Sequence, residues 1–387
     1  MGLLKIIFLI NILFFAAGEL LRISIFGVEL KIMDISVMIF STLWLIYALV
    51  NKKINKAIYL PSVGFICAGF ISLVLSVWVF NFDQIMKGSL YLIRWVSYLS
   101  VLTFIFNTEN DFKKIIKKLF VFLGGFIVTI GYVQFFFYQS LKNLFYLGWD
   151  EHLYRMFSVF LDPNFAGVFF VLYFLFLLDQ IFDNFKNRIM LIIYSGLSIF
   201  TLFAVLLTYS RSALLMLTFG ICFYLFLKKK KILILFIVVS LAILTFILPR
   251  AYKTEGTNFF RTVSSEARLI SYRQSVEIIK DNPVFGVGFN NYRFAKERHG
   301  FSHPRDYKSH SDASSDNSLL FIFATTGIVG LIAYIYMWHR IFILSRKSEL
   351  ILSSIFALFL SSLFINSLFY VFFIYWLFLI IGIKENK

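Results

Sequence analysis

The sequence predicts an all-α, polytopic membrane protein of about twelve transmembrane helices, with one long extracytoplasmic loop that contains a short helix. Three observations lead there. Only 15% of the 387 residues are charged and 60% are hydrophobic, whereas a soluble domain has about 25% charged residues. The 51 Phe cannot all be hidden in one water-soluble core, because such cores stop growing near ~250–300 residues. The apolar residues also gather in runs close to the ~20 that a helix needs to cross a hydrocarbon core. The same apolar content excludes a disordered chain.

The runs fall at 3–20, 34–50, 58–80, 89–106, 119–138, 164–181, 189–208, 213–227, 232–248, 318–338, 350–365 and 367–383, and residues 1–387 are read as one integral membrane domain. The first run ends Ala16-Ala17-Gly18, as a signal peptide would, but it belongs to a series of similar runs and is read as a span. Cys67 and Cys222 each sit in an apolar run and form no metal-ligand or disulfide pattern.

Alternate connectors are basic: Lys52-Lys53 with Lys56, then Lys113-Lys114 with Lys117-Lys118, Lys186 with Arg188, Lys228 to Lys231, Arg340 with Arg346-Lys347, and finally Lys384 and Lys387. With Lys5, that side holds 19 of the 37 basic residues against six of the 21 acidic ones. Cytoplasmic loops of membrane proteins collect Lys and Arg, so both termini are expected in the cytoplasm. The net charge of +16 is then topology rather than a nucleic-acid footprint, and no nucleic-acid partner is expected.

Two outer connectors are long, 139–163 and the polar segment 249–317. Loops of this size are usually functional. Within the second, Ser264 and Ser265 with Glu266 read as a helix start and Asn282-Pro283 as its end. Leu269, Tyr272, Val276 and Ile279 recur at helical spacing, a stripe for the membrane surface or the bundle. Gly286-Val287-Gly288 reads as a turn and not as a dinucleotide fingerprint, since the third Gly and a leading strand are missing.

Arginines at the outer edge of a membrane are costly unless they face a cavity or a partner. Arg94 lies inside its span among Tyr91, Trp95 and Tyr98, where an interfacial aromatic belt is the other reading. Arg155 precedes Asp162-Pro163-Asn164, a helix start suited to an anion or simply a capped terminus. Arg211 occupies the tight connector Thr208-Tyr209-Ser210-Arg211-Ser212, where phosphate binding competes with snorkelling to lipid headgroups. Arg268 sits on the loop helix. His299, His303 and His310, with Asp312, Asp316 and Asn317, supply candidates for a general base or for the cap of the next span. No His or carboxylate pattern indicates a metal, and no cofactor is expected.

In this order the elements resemble the O-antigen ligase and O-antigen polymerase superfamily of membrane glycosyltransferases. The resemblance rests on Arg155…Asp162-Pro163-Asn164, Thr208–Ser212, Arg268 before Pro283-Val284-Phe285-Gly286-Val287-Gly288, and Asn317-Ser318-Leu319 leading to Gly327 and Gly330. It implies an inverting, metal-independent transfer of a glycan from an undecaprenyl-diphosphate-linked donor to an acceptor hydroxyl. That hydroxyl would belong to a glycolipid or to another lipid-linked glycan. The reaction would take place at the outer face of a bacterial inner (cytoplasmic) membrane, in cell-envelope polysaccharide or lipopolysaccharide synthesis. Ligation is preferred over repeat-unit polymerisation on the single late outer loop, and a lipid-linked sugar transporter or flippase is the alternative from another class. A leaving diphosphate needs fixed cations, so Arg211 and Arg268 are expected to form the electrostatic clamp, helped by Arg155, Arg94, Asn164 and Asn317. The family commonly has His immediately before the Asn that opens the next span. Here that position is Asp316 and the nearest His is His310, so either could be the base, or neither.

Overall fold

The computed structural model describes residues 1–25, 28–53, 56–247, 254–258, 261–302 and 309–384. His303 and Lys387 of the sequence reading lie outside the described residues. The chain is a helical bundle. Its elements are α1 (Gly2–Ala17), β1 (Arg22–Ile25), β2 (Val28–Lys31), α2 (Ile32–Val50), α3 (Lys56–Leu75), α4 (Phe82–Phe106) and α5 (Asn110–Phe137). They continue with α6 (Pro163–Asp183), α7 (Arg188–Leu207), α8 (Arg211–Leu227), α9 (Lys231–Ile247), α10 (Val263–Asp281), α11 (Tyr292–Arg298), α12 (Ser318–Leu344), α13 (Glu349–Ser361) and α14 (Val371–Lys384).

Among the described residues seven helices are long and apolar enough to cross a membrane: α2 to α7 and α12. Five shorter apolar helices, α1, α8, α9, α13 and α14, coincide with the remaining predicted runs. The all-α expectation needs one amendment. Arg22–Ile25 and Val28–Lys31 pair as an antiparallel hairpin with Arg22 opposite Lys31. This short stretch between two spans is too brief to read as strands by periodicity.

Apolar all round, α14 is enclosed on every side, with Val371 to Gly382 all buried. The Trp376 ring packs within 4.1 Å of Phe120 and 5.0 Å of Phe169. By contrast α7 is equally apolar but exposes Ile189, Ile192 and Ile199, the pattern of a lipid-facing helix.

One kink shapes the end of the bundle that holds the expected site residues. Gly327 interrupts α12 with φ 67°, and the carbonyls freed there are taken by the segment before α11. Val287 N–H donates to Ala324 O at 2.9 Å and Gly288 N–H to Thr325 O at 3.1 Å, while Ile328 N–H reaches back to Pro283 O at 2.9 Å. Gly286, at φ 71°, and Gly327 stand back to back. A Cβ at Gly286 would meet the Thr325 carbonyl carbon at 2.4 Å, and one at Gly327 would meet Val284 O at 2.1 Å. The Pro-Val-Phe-Gly-Val-Gly motif is thus a backbone splint for a broken membrane helix. Gly327→Ala is expected to cost at least about 2 kcal/mol, since it combines a left-handed backbone with a backbone clash. A thermal unfolding midpoint in detergent equal to the wild type would refute this.

The helix proposed after residue 263 is present as α10, but Ser264 and Ser265 do not cap it: Thr262 holds the N-cap position. The apolar stripe also divides. Tyr272 and Ile279 face the bundle, whereas Leu269 and Val276 are exposed, because the packed face follows Arg268, Tyr272, Ser275 and Ile279 at one helical spacing. The loop carries a second helix, α11, that the sequence reading lacked.

Candidate functional site

The connector between α7 and α8 is the hub of this end of the bundle. Tyr209 adopts φ 50°, and Ser210 caps α8 through the Ala213 N–H. This turn exposes two carbonyls to two buried arginines. Arg155 Nε donates to Thr208 O at 2.9 Å. Arg261 donates to Tyr209 O at 3.2 and 3.3 Å, and also to Gly256 O. From the same turn Arg211 reaches outward, donating to Arg261 O at 3.0 Å and to the hydroxyls of Ser264 and Ser265 at 2.8 and 2.9 Å. The two serines read as caps are therefore the seat of the Arg211 guanidinium.

Asp162 caps α6 with its Oδ1 on the Asn164 and Phe165 N–H groups, with Pro163 at the first turn as expected. Asn164 Oδ1 accepts the Ser210 hydroxyl at 2.9 Å. Burial, then the nearby Arg261, lowers the Arg155 guanidinium to about 9, which leaves it charged at neutral pH. The loop that carries Arg155 is under backbone tension: His152, Tyr154, Ser158 and Leu161 all have positive φ. Gln134 holds it, accepting the Phe157 and Ser158 N–H groups on its Oε1 and donating to Arg155 O.

Beside this hub opens a partly enclosed cavity of about 470 Å³. Of the residues expected at the site, Arg94, Asn164, Arg268, His310 and Asp316 line it, and Arg155, Arg211 and Asn317 do not. Asn317 instead caps α12, accepting the Leu319 and Leu320 N–H groups. Arg94 is committed to Asp34 at 3.3 Å, and Asp34 also accepts the Tyr98 hydroxyl at 2.7 Å.

Arg268 is the exception among these cations. Among the described residues its guanidinium has no ion pair or hydrogen bond, only the Phe364 ring 5.9 Å away. The same helix also places Asp316. Ser271 Oγ accepts the Asp316 N–H at 3.1 Å, and Ser275 bonds Tyr292 and Ser315 at 2.7 and 2.8 Å. Burial raises the Asp316 carboxyl to about 6; Arg268 pulls against this and Asp162 adds to it. Burial, then Arg22, drives the His310 imidazole down to about 4. His310 lies against the Trp149 ring at 4.4 Å, with its Nε2 buried and unpaired. His299 is away from the cavity and ties α11 to Asp281 of α10.

The opposite wall was not foreseen. Glu19 is buried against Lys31 at 2.8 Å, Arg22 and the Tyr370 hydroxyl at 2.6 Å. Burial opposes its ionisation, but Lys31 and Arg22 outweigh that and hold it down at about 2. Arg22 also covers Trp149 at 4.6 Å. These residues come from the hairpin, the 139–163 loop and the start of α14. Their separation in sequence left no spacing to read, and the only hint was an acid and bases clustered at a span's end.

A prediction arises here. Arg211→Ala is expected to release the first turn of α10, since bonds to a charged group contribute more than neutral ones. Hydrogen exchange at 263–268 should accelerate by about tenfold or more. A Ser264→Ala/Ser265→Ala double variant should show the same local change, and protection equal to the wild type in both would show that the seat carries no load.

Fold and site together define a class: a polytopic helical membrane protein with a cation-rich, half-enclosed cavity at one end of its bundle. Residues 196–335 match the family model described as O-antigen ligase. The resemblance to the O-antigen ligase and polymerase superfamily is borne out over that stretch, which runs from α7 into α12 and contains Arg211, Arg268, His310, Asp316 and Asn317. In general terms this supports a glycosyltransferase-like membrane enzyme of cell-surface polysaccharide biosynthesis in a bacterial inner membrane, with lipid bilayer and lipid-linked glycan partners. No curated protein matches the chain.

Proposed function

We propose that the protein transfers a glycan from an undecaprenyl-diphosphate-linked donor to an acceptor hydroxyl in the cavity at its outer end, as an O-antigen ligase-like enzyme. The observation that carries this is the Arg268 guanidinium, without an ion pair or hydrogen bond among the described residues, in one half-enclosed cavity with Asp316, a carboxyl raised to about 6. The acceptor oxygen attacks the anomeric carbon as the bond to the diphosphate oxygen breaks, with inversion. The acceptor proton passes to Asp316, and the charge left on the lipid diphosphate is taken by Arg268. A carboxylate near 6 is largely ionised at neutral pH yet basic enough to accept a proton, whereas an imidazole near 4 is a poorer base. Asp316 is therefore preferred to His310, which supplies an unpaired ring nitrogen for a substrate hydroxyl. Arg155, Arg211 and Asn164 position this pair, Asn317 holds the start of α12, and Arg94, neutralised by Asp34, lines the wall.

In the same reading the five shorter helices also cross, giving twelve spans with both termini in the cytoplasm. At 1.5 Å per residue α13 and α14 are only about 20 Å long, short of a ~30 Å hydrocarbon core. The stretch 362–370, which holds only the 3-10 turn Ser367–Phe369, then lies at membrane depth, which is tolerated where backbone lines a cavity. No metal takes part in this proposal. The test is incubation of the purified enzyme with a lipid-linked oligosaccharide and candidate acceptors. One mass-shifted glycolipid supports ligation and a ladder supports polymerisation; the absence of any transferred product would overturn the proposal.

A further inference from the structure

A second cavity lies at the opposite end of the bundle. The outer cavity meets α14 at Val371 and Ile374, whereas this one, of about 300 Å³, meets it at Ile380, Ile383 and Lys384. Its polar side is formed by Lys113, Lys114 and Lys117 from the first two turns of α5, with Lys384. Its other side is apolar, formed by Phe176, Leu350, Ile380 and Ile383. Carboxylates pair three of these lysines but do not line the cavity. Asp179 and Asp183 pair Lys384 at 2.5 and 2.8 Å, Asp183 lies 3.9 Å from Lys117, and Asp111 pairs Lys114 at 2.8 Å.

The tendency of cytoplasmic loops to be basic explains why these lysines are on this side. It does not explain their convergence, from two helices far apart in sequence, on a pocket whose far wall is hydrocarbon. A site with clustered ammonium groups above aliphatic side chains, at the level where a helix leaves the membrane, has the chemistry of a phospholipid: an anionic headgroup continuous with acyl chains. The N–H groups at the start of α5, where Asn110 also lines the pocket, add partial positive charge on the same side. We infer that this cavity is a binding site for an anionic phospholipid of the inner leaflet. The headgroup phosphate sits against Lys114 and Lys117, and the chains lie along Phe176 and Ile380. Such a lipid bridges α5 to α13 and α14, and the other end of α14 lines the outer cavity at Val371 and Ile374.

The test uses the full chain in detergent, titrated with phosphatidylglycerol or with phosphatidylcholine of the same acyl chains. Thermal unfolding and native mass spectrometry are the readouts. Phosphatidylglycerol is expected to raise the unfolding midpoint and remain bound, and phosphatidylcholine is not. With each basic residue near a membrane surface worth about fivefold, Lys114→Gln/Lys117→Gln should weaken binding by about 25-fold. Lys114→Arg/Lys117→Arg should retain it, and Arg268→Ala in the outer cavity should leave it unchanged. Equal shifts with both lipids, or undiminished binding in the glutamine variant, would overturn the inference. So would an equal shift produced by inorganic pyrophosphate alone, which would make the site a phosphate site without the lipid. If the glutamine variant does not fold, salt titration of the wild type decides: binding that does not weaken with ionic strength overturns it. None of these readouts depends on glycan transfer.

Discussion

Arg268→Ala is expected to lower glycan transfer by about 10²–10³-fold with almost no loss of stability. The two halves of that statement have separate causes. In the reaction a diphosphate departs, and a guanidinium held in a half-dry cavity stabilises the developing charge far better than water does. At rest the same side chain is without an ion pair or hydrogen bond among the described residues; it lies 5.9 Å from the Phe364 ring and attracts the Asp316 carboxylate through space. An exposed cation–π contact contributes only about 0.5–1 kcal/mol, so the unfolding midpoint should move little. Arg268→Lys keeps the charge but loses the two-pronged geometry that matches phosphate, and an intermediate loss is expected. The contrast with Arg211 is diagnostic. Arg211→Ala should reduce transfer together with protection of the first turn of α10, because its guanidinium is seated on Ser264 and Ser265. Wild-type transfer by Arg268→Ala would remove the clamp from the mechanism.

Asp316→Asn is expected to reduce transfer by about 10²–10⁴-fold and to abolish one limb of the pH profile. Asp316 accepts a proton only when ionised, and burial raises its carboxyl to about 6. Wild-type transfer should therefore rise between about pH 5 and 7, and the residual activity of Asp316→Asn should be flat there. His310→Ala should keep the limb, because an imidazole lowered to about 4 is already neutral throughout that window. Stability should respond in the opposite sense. A carboxyl whose folded value lies above its unfolded one favours folding when protonated, so its contribution is lost as pH rises through about 6. Asp316→Asn should then be the more stable protein at pH 8, by an amount on the order of 2 kcal/mol. An unchanged pH limb in Asp316→Asn, or its loss in His310→Ala, would transfer the role of base away from Asp316.

The spans were legible because each is a local property of some twenty consecutive residues, and a helix satisfies its own backbone wherever it sits. The start of α6 was legible for a similar reason, since Asp162 and Pro163 act on neighbours two or three residues away. Arg268 and Asp316 could be picked out as candidates by residue type. Their common placement could not be read, because it depends on Ser271 of α10 meeting the backbone of Asp316, 45 residues later. The equal weight first given to Arg211 and Arg268 shows the same limit. Both are arginines beside serines and tyrosines, and only the tertiary structure shows that one guanidinium is consumed by hydroxyls while the other faces the cavity. Arg261 and the Glu19 cluster were missed altogether, having partners up to 351 residues away.

By itself, the sequence determined the membrane class, the order of the helices and the two faces of the charge distribution. These follow from hydrophobic transfer and charge, which add along a chain without regard to neighbours in space. Only the tertiary structure decided which cations are neutralised, which carboxyl is buried and where cavities remain. Each of those depends on distances between residues far apart in sequence, and electrostatic energies in a low-dielectric interior are set by distance and not by residue type alone.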